Sequence, residues 1–286
     1  MGRLVFGCTD IYCYNAAIKL VPPSIFRVIY ASMKVFAINL PQRKDRKTHI
    51  TNECAQHGID VEIIEAVNGK NLSEEELQTQ VYDWPACYLT QGEIGCALSH
   101  LAVYQRMIDE QHPVALVLED DAVFDESINE VLQAIEALET HNTQPQVYLL
   151  TPSDYYFDSF KKPLTAHHTL NKIADAYLAS SYVLNLAAAK ALHTFQKPIR
   201  YEADRWIHFH QMSIAHVNCV VPAPATTNDP DKISSSLERE RMAIWKDRYH
   251  YFRELKRKEM PLHKKLLRLF WRVMIELHLV KVIRKK

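Results

Sequence analysis

The stretch VALVLEDDAVF, residues 114–124, decides the fold because an apolar run leads directly into three consecutive acids. Such a run is typical of a buried strand in a parallel sheet, and ligands bind beyond the carboxyl ends of those strands. Glu119, Asp120 and Asp121 would repel one another there, which favours a bound cation. Carboxylates suit hard ions, so we expect Mg²⁺ or Mn²⁺. The local pattern is equally typical of acids that begin a solvated loop or cap a helix.

The order of elements around this strand predicts an α/β fold, because strands and helices alternate as a sheet covered on both faces requires. Other predicted strands are residues 35–40, 60–66, 146–150, 177–184 and 214–221. Predicted helices follow Pro41 as far as Gly58, follow the capping residue Ser73, span 92–111, 127–140 and 187–195, and begin again at Leu237. We expect residues 151–172 to form a long loop that acts as an active-site lid.

Composition excludes several classes of protein. The 286 residues are 48% hydrophobic, which is enough to bury a sizeable core. The six glycines form neither a G-x-G-x-x-G nor a G-x-x-x-x-G-K motif, which argues against a standard dinucleotide or P-loop site. The six cysteines contain no C-x-x-C pair, so we expect reduced thiols in a cytosolic protein and no structural zinc. We expect no membrane span and no signal peptide.

The chain divides into three predicted segments. Residues 1–32 show no sustained period, whereas Met33 opens the first strand, so we expect an N-terminal extension upstream of a true start at Met33. The alternative is a short helix over 25–33 that packs on the body or the membrane. Residues 33–258 would form the catalytic domain and 259–286 a basic amphipathic helix.

The charge distribution sets this last segment apart. Residues 253–286 carry twelve Lys or Arg and three Glu, a net charge of +9, whereas residues 1–252 carry −9. A basic helix with an apolar face is typical of one that lies in an anionic membrane interface, although it could also be a solvated face or bind a partner. The acidic body argues against nucleic acid as a partner.

Four stretches carry a family resemblance, and a weaker fifth supports it. They are FAINLPQRKDR at 36–46, EAVNGK at 65–70, LTQGEIGCALSH at 89–100, LVLEDDAVF at 116–124 and SSYVLNLAAAKAL at 180–192. Together they resemble the bacterial lipooligosaccharide glycosyltransferases of glycosyltransferase family 25, which also includes the collagen galactosyltransferases of animals. The resemblance implies a GT-A-type three-layer α/β/α sandwich, a nucleotide-sugar donor and inverting transfer to a saccharide.

The resemblance also assigns roles around the acidic strand. Glu119 and Asp121 would hold the metal, although a Glu in the first position departs from a plain Asp-x-Asp motif. His208 could complete the metal site, but only one of the pair His208 and His210 would face it on a helix. The expected donor-binding residues are Asn39, Arg43, Arg46, Ala66, Val67, Gly69, Asp120 and His100.

Two carboxylates compete for the role of base, because inverting transfer needs one free carboxylate to take the acceptor's proton. Asp204 matches the family's acid, and Glu93 is the rival, unless Glu93 binds a sugar. Arginines after the first strand would pair with the diphosphate, unless they belong to a solvated helix start. Val67 and its neighbours could equally form an ordinary turn, and a buried histidine such as His100 is more often a core residue than a catalyst.

The resemblance therefore implies an enzyme that moves galactose from UDP-galactose onto a lipooligosaccharide or lipopolysaccharide core. It would use Mn²⁺ or Mg²⁺ and act on a lipid-linked acceptor from the cytoplasmic face of the inner membrane, where the basic helix would hold it. A metal-dependent hydrolase or phosphotransferase and a non-catalytic saccharide-binding protein are the alternatives.

Overall fold

A computed structural model describes residues 33–153, 155–228 and 236–284, with the side chains of residues 236–245 excepted. The expected extension over residues 1–32, with its alternative helix, lies outside the described residues. The described part of the chain belongs to one compact unit.

The secondary structure comprises short strands and longer helices, with two 3₁₀ turns at Gly69–Asn71 and Asp158–Phe160. The strands are β1 Lys34–Asn39, β2 Glu62–Glu65, β3 Val114–Glu119, β4 Ala122–Phe124, β5 Gln146–Leu149, β6 Tyr155–Phe157, β7 Lys162–Pro163, β8 Thr169–Asp175, β9 Ser181–Asn185, β10 His216–Val221, β11 Ala225–Thr227 and β12 Val282–Arg284. The helices are α1 Lys44–Gln56, α2 Glu74–Gln80, α3 Gln91–Asp109, α4 Ile128–Glu139, α5 Leu186–Phe195, α6 Trp206–Gln211, α7 Ser236–Glu259 and α8 Leu262–Glu276.

One mixed sheet organises the described residues. Its strand order is β12-β6-β8-β10-β5-β9-β3-β1-β2, and β7 pairs with β8 beside this path. Strand β1 runs parallel to β2 and β3, whereas β9 runs antiparallel between β3 and β5. The carboxyl ends of β1, β2 and β3 therefore meet at one edge of the sheet, while β4 and β11 form a separate two-stranded ribbon beyond it.

The sheet is covered on both faces, which confirms the predicted three-layer α/β/α sandwich. Phe36 and Val117 point to one face, where α3 and α5 pack. Ala37 and Leu116 point to the other, where apolar residues of α1 and α4 lie. Every residue of β3 except Glu119 is buried, as a strand covered on both faces requires.

Helix capping confirms two of the predicted helix starts. Ser73 and Glu76 form a complete capping box at α2, and Thr90 does the same for α3 with Glu93. In this motif each side chain accepts a hydrogen bond from the other residue's backbone N–H, so two otherwise unsatisfied donors are paired. The cap fixes the start of α3 next to the carboxyl end of β3.

Three predictions about the second half of the chain are wrong in their extent. The expected loop over 151–172 contains β6, β7 and the start of β8, because β6 and β7 have only three and two residues, none of them fully buried, and so show no buried apolar pattern. The strand expected over 177–184 begins only at Ser181. The helix expected over 259–286 stops at Glu276, and β12 then pairs with β6. His278 has a φ of 55°, a left-handed conformation that cannot continue a helix.

Candidate active site

A pocket of about 530 Å³ opens where the carboxyl ends of β1, β2 and β3 meet. Ligands of α/β sheets bind at this edge because the loops that follow parallel strands converge there. Eleven of the thirteen predicted site residues line it, namely Arg43, Arg46, Ala66, Val67, Gly69, Glu93, His100, Glu119, Asp120, Asp121 and Asp204. Segments that precede β9 and α6 complete the wall, with Leu178, Ala179, Ser180, Glu202 and Ala203.

Asp120 is held in place from two sides. Asn39, at the end of β1, donates from Nδ2 to Asp120 Oδ2 at 2.8 Å, and Arg46 Nη1 lies 2.9 Å from Asp120 Oδ1. Asn39 is 3% exposed and does not line the pocket. It therefore acts on the site through Asp120, and the prediction that it contacts the donor stays untested.

Asp121 carries the strongest sign of a cation site. Burial and the neighbouring Glu119 together raise the pKa of its carboxyl group to about 6, although Arg46 opposes both. Its Oδ1 is buried and finds no hydrogen-bond partner among the described residues. A hard divalent ion would satisfy this oxygen and relieve the repulsion, so the carboxylates of Glu119 and Asp121 fit Mg²⁺ or Mn²⁺.

Two arginines bring positive charge to the same mouth of the pocket. Arg43 donates to both carboxylate oxygens of Asp45, at 3.1 and 2.8 Å, which keeps its guanidinium at the surface beside the cavity. Arg46 reaches deeper, because its Nη1 also lies 3.6 Å from Asp121 Oδ2. A shallower cavity of about 440 Å³ continues outward past both arginines to His49 and Asn228.

Ala66 and Val67 are positioned by a close approach between two glycines. A Cβ atom on Gly69 would lie 1.7 Å from the carbonyl oxygen of Gln91, and one on Gly95 would lie 2.5 Å from the carbonyl oxygen of Val67. Ser99 Oγ accepts from Val67 N at 2.8 Å and donates to Gly95 O at 2.6 Å. The loop after β2 is therefore fixed against α3, and Gly69 is needed for this packing.

Glu93 forms hydrogen bonds that stabilise the fold, and these make it less suitable as the base. Besides capping α3, its two carboxylate oxygens accept hydrogen bonds from Arg248 of α7, each at 2.7 Å. Arg248 also donates to Glu202, and all three residues are buried. The nearby carboxylates raise the pKa of the Arg248 guanidinium, so its charge is permanent. A carboxylate held by a bidentate arginine is a poor proton acceptor.

Asp204 keeps a carboxylate available to the pocket. It lies in the turn before α6, half-buried, and its Oδ2 accepts one long hydrogen bond of 3.3 Å from Leu178 N. The geometry therefore suits a proton acceptor better at Asp204 than at Glu93. Its role as the base stays a prediction.

The structure does not bring His208 to the acids. It lies on α6, buried, with its ring 4.2 Å from that of Tyr201, and it is not among the described residues that line the pocket. Burial, reinforced by nearby cations, lowers its pKa to about 3, so it is neutral. His210 also lies outside the pocket lining, and its Nδ1 accepts from Val217 N at 3.1 Å. The expectation that His208 completes a metal site therefore has no geometric support.

His100 does reach the site, as α3 passes behind Glu119. Its Nε2 lies 3.5 Å from Glu119 Oε1, and its Nδ1 lies 2.7 Å from the Tyr182 hydroxyl. Sequence reasoning missed its neighbour Cys96, although the helical spacing of four between them was a usable signal. It also missed Glu202 and Arg248, for which no local pattern existed.

Comparisons with known proteins found a matching family model and several similar proteins. A family model described as glycosyltransferase family 25 (LPS biosynthesis protein) matches residues 32–207. Procollagen galactosyltransferase 2 of Homo sapiens is 36% identical over 110 residues, which are 36% of this chain and 18% of that protein. Procollagen galactosyltransferase 1-A of Xenopus laevis is 28% identical over 168 residues, 56% of this chain and 28% of that protein. The chain thus spans less than a third of the length of these relatives.

A solved structure of a glycosyltransferase involved in the glycosylation of the major capsid of PBCV-1 aligns with 57% of this chain and 66% of its own, with a TM-score of 0.30 and 9% identity. That likeness is too low to support a conclusion. The family match is of another kind, because it spans more than half of the chain and includes every residue found to line the pocket except Thr227. The chain therefore belongs to glycosyltransferase family 25.

Proposed function

We propose that this protein is an inverting glycosyltransferase that moves galactose from UDP-galactose onto the saccharide core of a lipooligosaccharide or lipopolysaccharide. The observation that carries the proposal is the composition of one pocket. It combines a carboxylate cluster that fits a divalent ion, two arginines at the mouth, and a separate carboxylate on another element. Binding a nucleotide sugar needs the metal-binding carboxylates and the arginines, and activating an acceptor hydroxyl needs the separate carboxylate.

The chain's own residues divide the work of transfer between them. Arg43 and Arg46 would pair with the diphosphate, while Val67 and its neighbours would line the side that receives the base. Asp204 would take the proton of the acceptor hydroxyl as that oxygen bonds to the anomeric carbon and the bond to the diphosphate breaks. A divalent ion held by Glu119 and Asp121 would supply positive charge to the leaving diphosphate.

A panel of UDP-sugars tests this proposal. We expect UDP-galactose with Mn²⁺ to raise the melting temperature and to be turned over in the presence of a saccharide acceptor. Asp121→Asn should abolish the stabilisation, whereas Asp204→Asn should keep it and lose transfer. Asp109→Asn, an exposed acid at the end of α3, is the matched control.

Two outcomes would contradict the proposal. Phosphate release from a simple ester that is lost in Asp121→Asn would identify a hydrolase or phosphotransferase. Saccharide binding without turnover of any UDP-sugar would identify a non-catalytic relative.

A second part of the proposal places the enzyme on the cytoplasmic face of the inner membrane through α8. Within the described residues no helix is long and apolar enough to cross a bilayer. Successive residues are about 100° apart around a helix axis, so one side of α8 gathers several exposed apolar side chains. They are Leu262, Leu266, Leu269, Phe270 and Val273.

The contacts of the other sides of α8 leave its apolar face exposed to solvent. Trp271 packs edge to face on Phe160 at 5.6 Å and also lies against Phe157, so the opposite side of the helix attaches to the β6 region. Basic residues flank the exposed face, including Arg268 and Arg272. An apolar face beside a basic one suits an anionic lipid surface, and membrane attachment would raise the effective concentration of a lipid-linked acceptor.

Vesicle binding tests the membrane role. Leu266→Glu combined with Phe270→Glu should abolish binding to anionic vesicles and spare transfer to a short soluble acceptor. Leu138→Glu, which alters another exposed leucine on α4, is the control and should bind as the unaltered chain does. Equal binding of all three to anionic vesicles would refute the role of α8, as would equal binding of the unaltered chain to neutral and anionic vesicles.

A further inference from the structure

Three side chains with different donor atoms meet behind the acidic cluster. Cys96 and His100 lie four residues apart on one face of α3, and Glu119 ends β3 opposite them. Cys96 Sγ lies 4.0 Å from Glu119 Oε1, and His100 Nε2 lies 3.5 Å from the same oxygen. All three donor atoms fall within 4.8 Å of one another.

The histidine is prepared as a ligand. His100 is 2% exposed, and its Nε2 is buried without a hydrogen-bond partner among the described residues. Its other nitrogen is engaged by the Tyr182 hydroxyl, which in turn contacts the Tyr104 hydroxyl at 2.8 Å. Burial raises the pKa of both tyrosines, so the pair stays neutral. With the proton on Nδ1, Nε2 keeps its lone pair 3.5 Å from Glu119 Oε1, and a histidine whose other nitrogen is hydrogen-bonded in this way is typical of metal sites.

The spacing of these atoms fits a tetrahedral ion. Ligand distances of about 2.0 to 2.3 Å around zinc give separations of about 3.4 to 3.7 Å between neighbouring ligands. His100 Nε2 and Glu119 Oε1 are already at this separation, whereas Cys96 Sγ, 4.0 Å from Glu119 Oε1 and within 4.8 Å of His100 Nε2, must move inward on binding. Three protein ligands leave the fourth position of a tetrahedral ion open, and all three of these residues line the pocket.

We propose that Cys96, His100 and Glu119 form a zinc site in the wall of the pocket. A thiolate and an imidazole favour Zn²⁺ over Mg²⁺ or Mn²⁺, which prefer oxygen. Binding releases the thiol proton of Cys96 to solvent, because the thiolate is the ligand. The site shares Glu119 with the proposed oxygen-rich site, so zinc competes with the hard ion for that carboxylate. Zinc is therefore an inhibitor of any activity that depends on the hard ion.

Cobalt spectroscopy tests the site directly, without any sugar donor. Co²⁺ takes up tetrahedral zinc sites and shows an intense thiolate-to-metal absorption when a cysteine is bound. We expect this band in the full chain, its loss on addition of Zn²⁺, and its absence from Cys96→Ser. His100→Gln should weaken zinc affinity by at least about tenfold. Cys54→Ala, which alters a buried cysteine of α1, is the control and should keep the band.

Thermal unfolding provides a second measurement that guards against misfolded variants. Zn²⁺ should raise the melting temperature of the unaltered chain and of Cys54→Ala, and leave that of Cys96→Ser unchanged. A full chain without the thiolate band, or a band that persists in Cys96→Ser, would overturn the proposal. Neither result depends on the identity of the transferred sugar, so failure of the zinc site and failure of the proposed transferase are separable.

Discussion

Replacing Arg248 by Met should cost more stability than any substitution of an exposed arginine in this chain. The guanidinium makes two hydrogen bonds of 2.7 Å to Glu93 and also contacts Glu202. The side chains of Arg248, Glu93 and Glu202 are 10%, 1% and 6% exposed, so water screens these contacts little. Methionine would fill a similar volume and leave two buried carboxylates without their cation.

The expected cost is about 3 to 5 kcal/mol in the free energy of unfolding, which is typical of breaking a buried ion pair by removing one partner. Domains are stable by only about 5 to 15 kcal/mol, so the loss is large. Because the penalty comes from the uncompensated carboxylates, Glu93→Gln combined with Arg248→Met should recover part of it. The coupling between the two substitutions should be about 1 to 3 kcal/mol.

Urea denaturation of the single and double variants measures both quantities. Arg257→Met on the same helix is the matched control, because Arg257 pairs with Glu254 at the surface and should cost at most about 1 kcal/mol. If Arg248→Met costs no more than Arg257→Met, or if the two substitutions at the buried pair are additive, the reasoning about α7 is refuted.

Three other predictions concern the pocket. Gly69→Ala should destabilise the fold by about 1 to 3 kcal/mol in urea, because its Cβ would meet the backbone oxygen of Gln91; unchanged stability would contradict the close packing. The pKa of Asp121 is raised on folding from 3.8 to about 6, so its contribution to stability is present below pH 4 and lost as pH rises through 6. With a chelator present, the free energy of unfolding of Asp121→Asn should therefore rise relative to that of the unaltered chain above pH 6, on the order of 2 kcal/mol. A constant difference between the two from pH 4 to 8 would refute this. His208→Gln should leave Mn²⁺ affinity unchanged in calorimetry, and a clear loss would return His208 to the metal site.

The part of the site that sequence predicts well is the part built from strand ends. β1 and β3 are short buried runs, and the residues after them must share one edge of a sheet once both strands are parallel. Arg46, Asp120 and Asp121 therefore follow from local patterns and chain order. The motif around α3 adds Glu93 and His100, which the family resemblance, and not a local pattern, assigned to the site.

The part that sequence predicts poorly depends on contacts between distant segments. Arg248 lies 155 positions from Glu93, in a charged helix whose pattern looks solvated, and nothing local distinguishes it from Arg253 or Arg257. His208 fails for the opposite reason. It stands close to Asp204 in sequence, yet the turn into α6 directs its ring against Tyr201, and spacing alone cannot give that direction.

The position of Arg248 also bears on which acid can serve as the base. The family match ends at residue 207, so α7 lies outside it, yet this helix neutralises both Glu93 and Glu202 in the pocket wall. Those two carboxylates therefore hold α7 against α3 and the turn before α6. Asp204 lies between Glu202 and α6 without such a partner among the hydrogen bonds described above. Asp204 has no such ion pair among the described residues, which supports its proposed role as the base, and the reason is found in a helix beyond the family match.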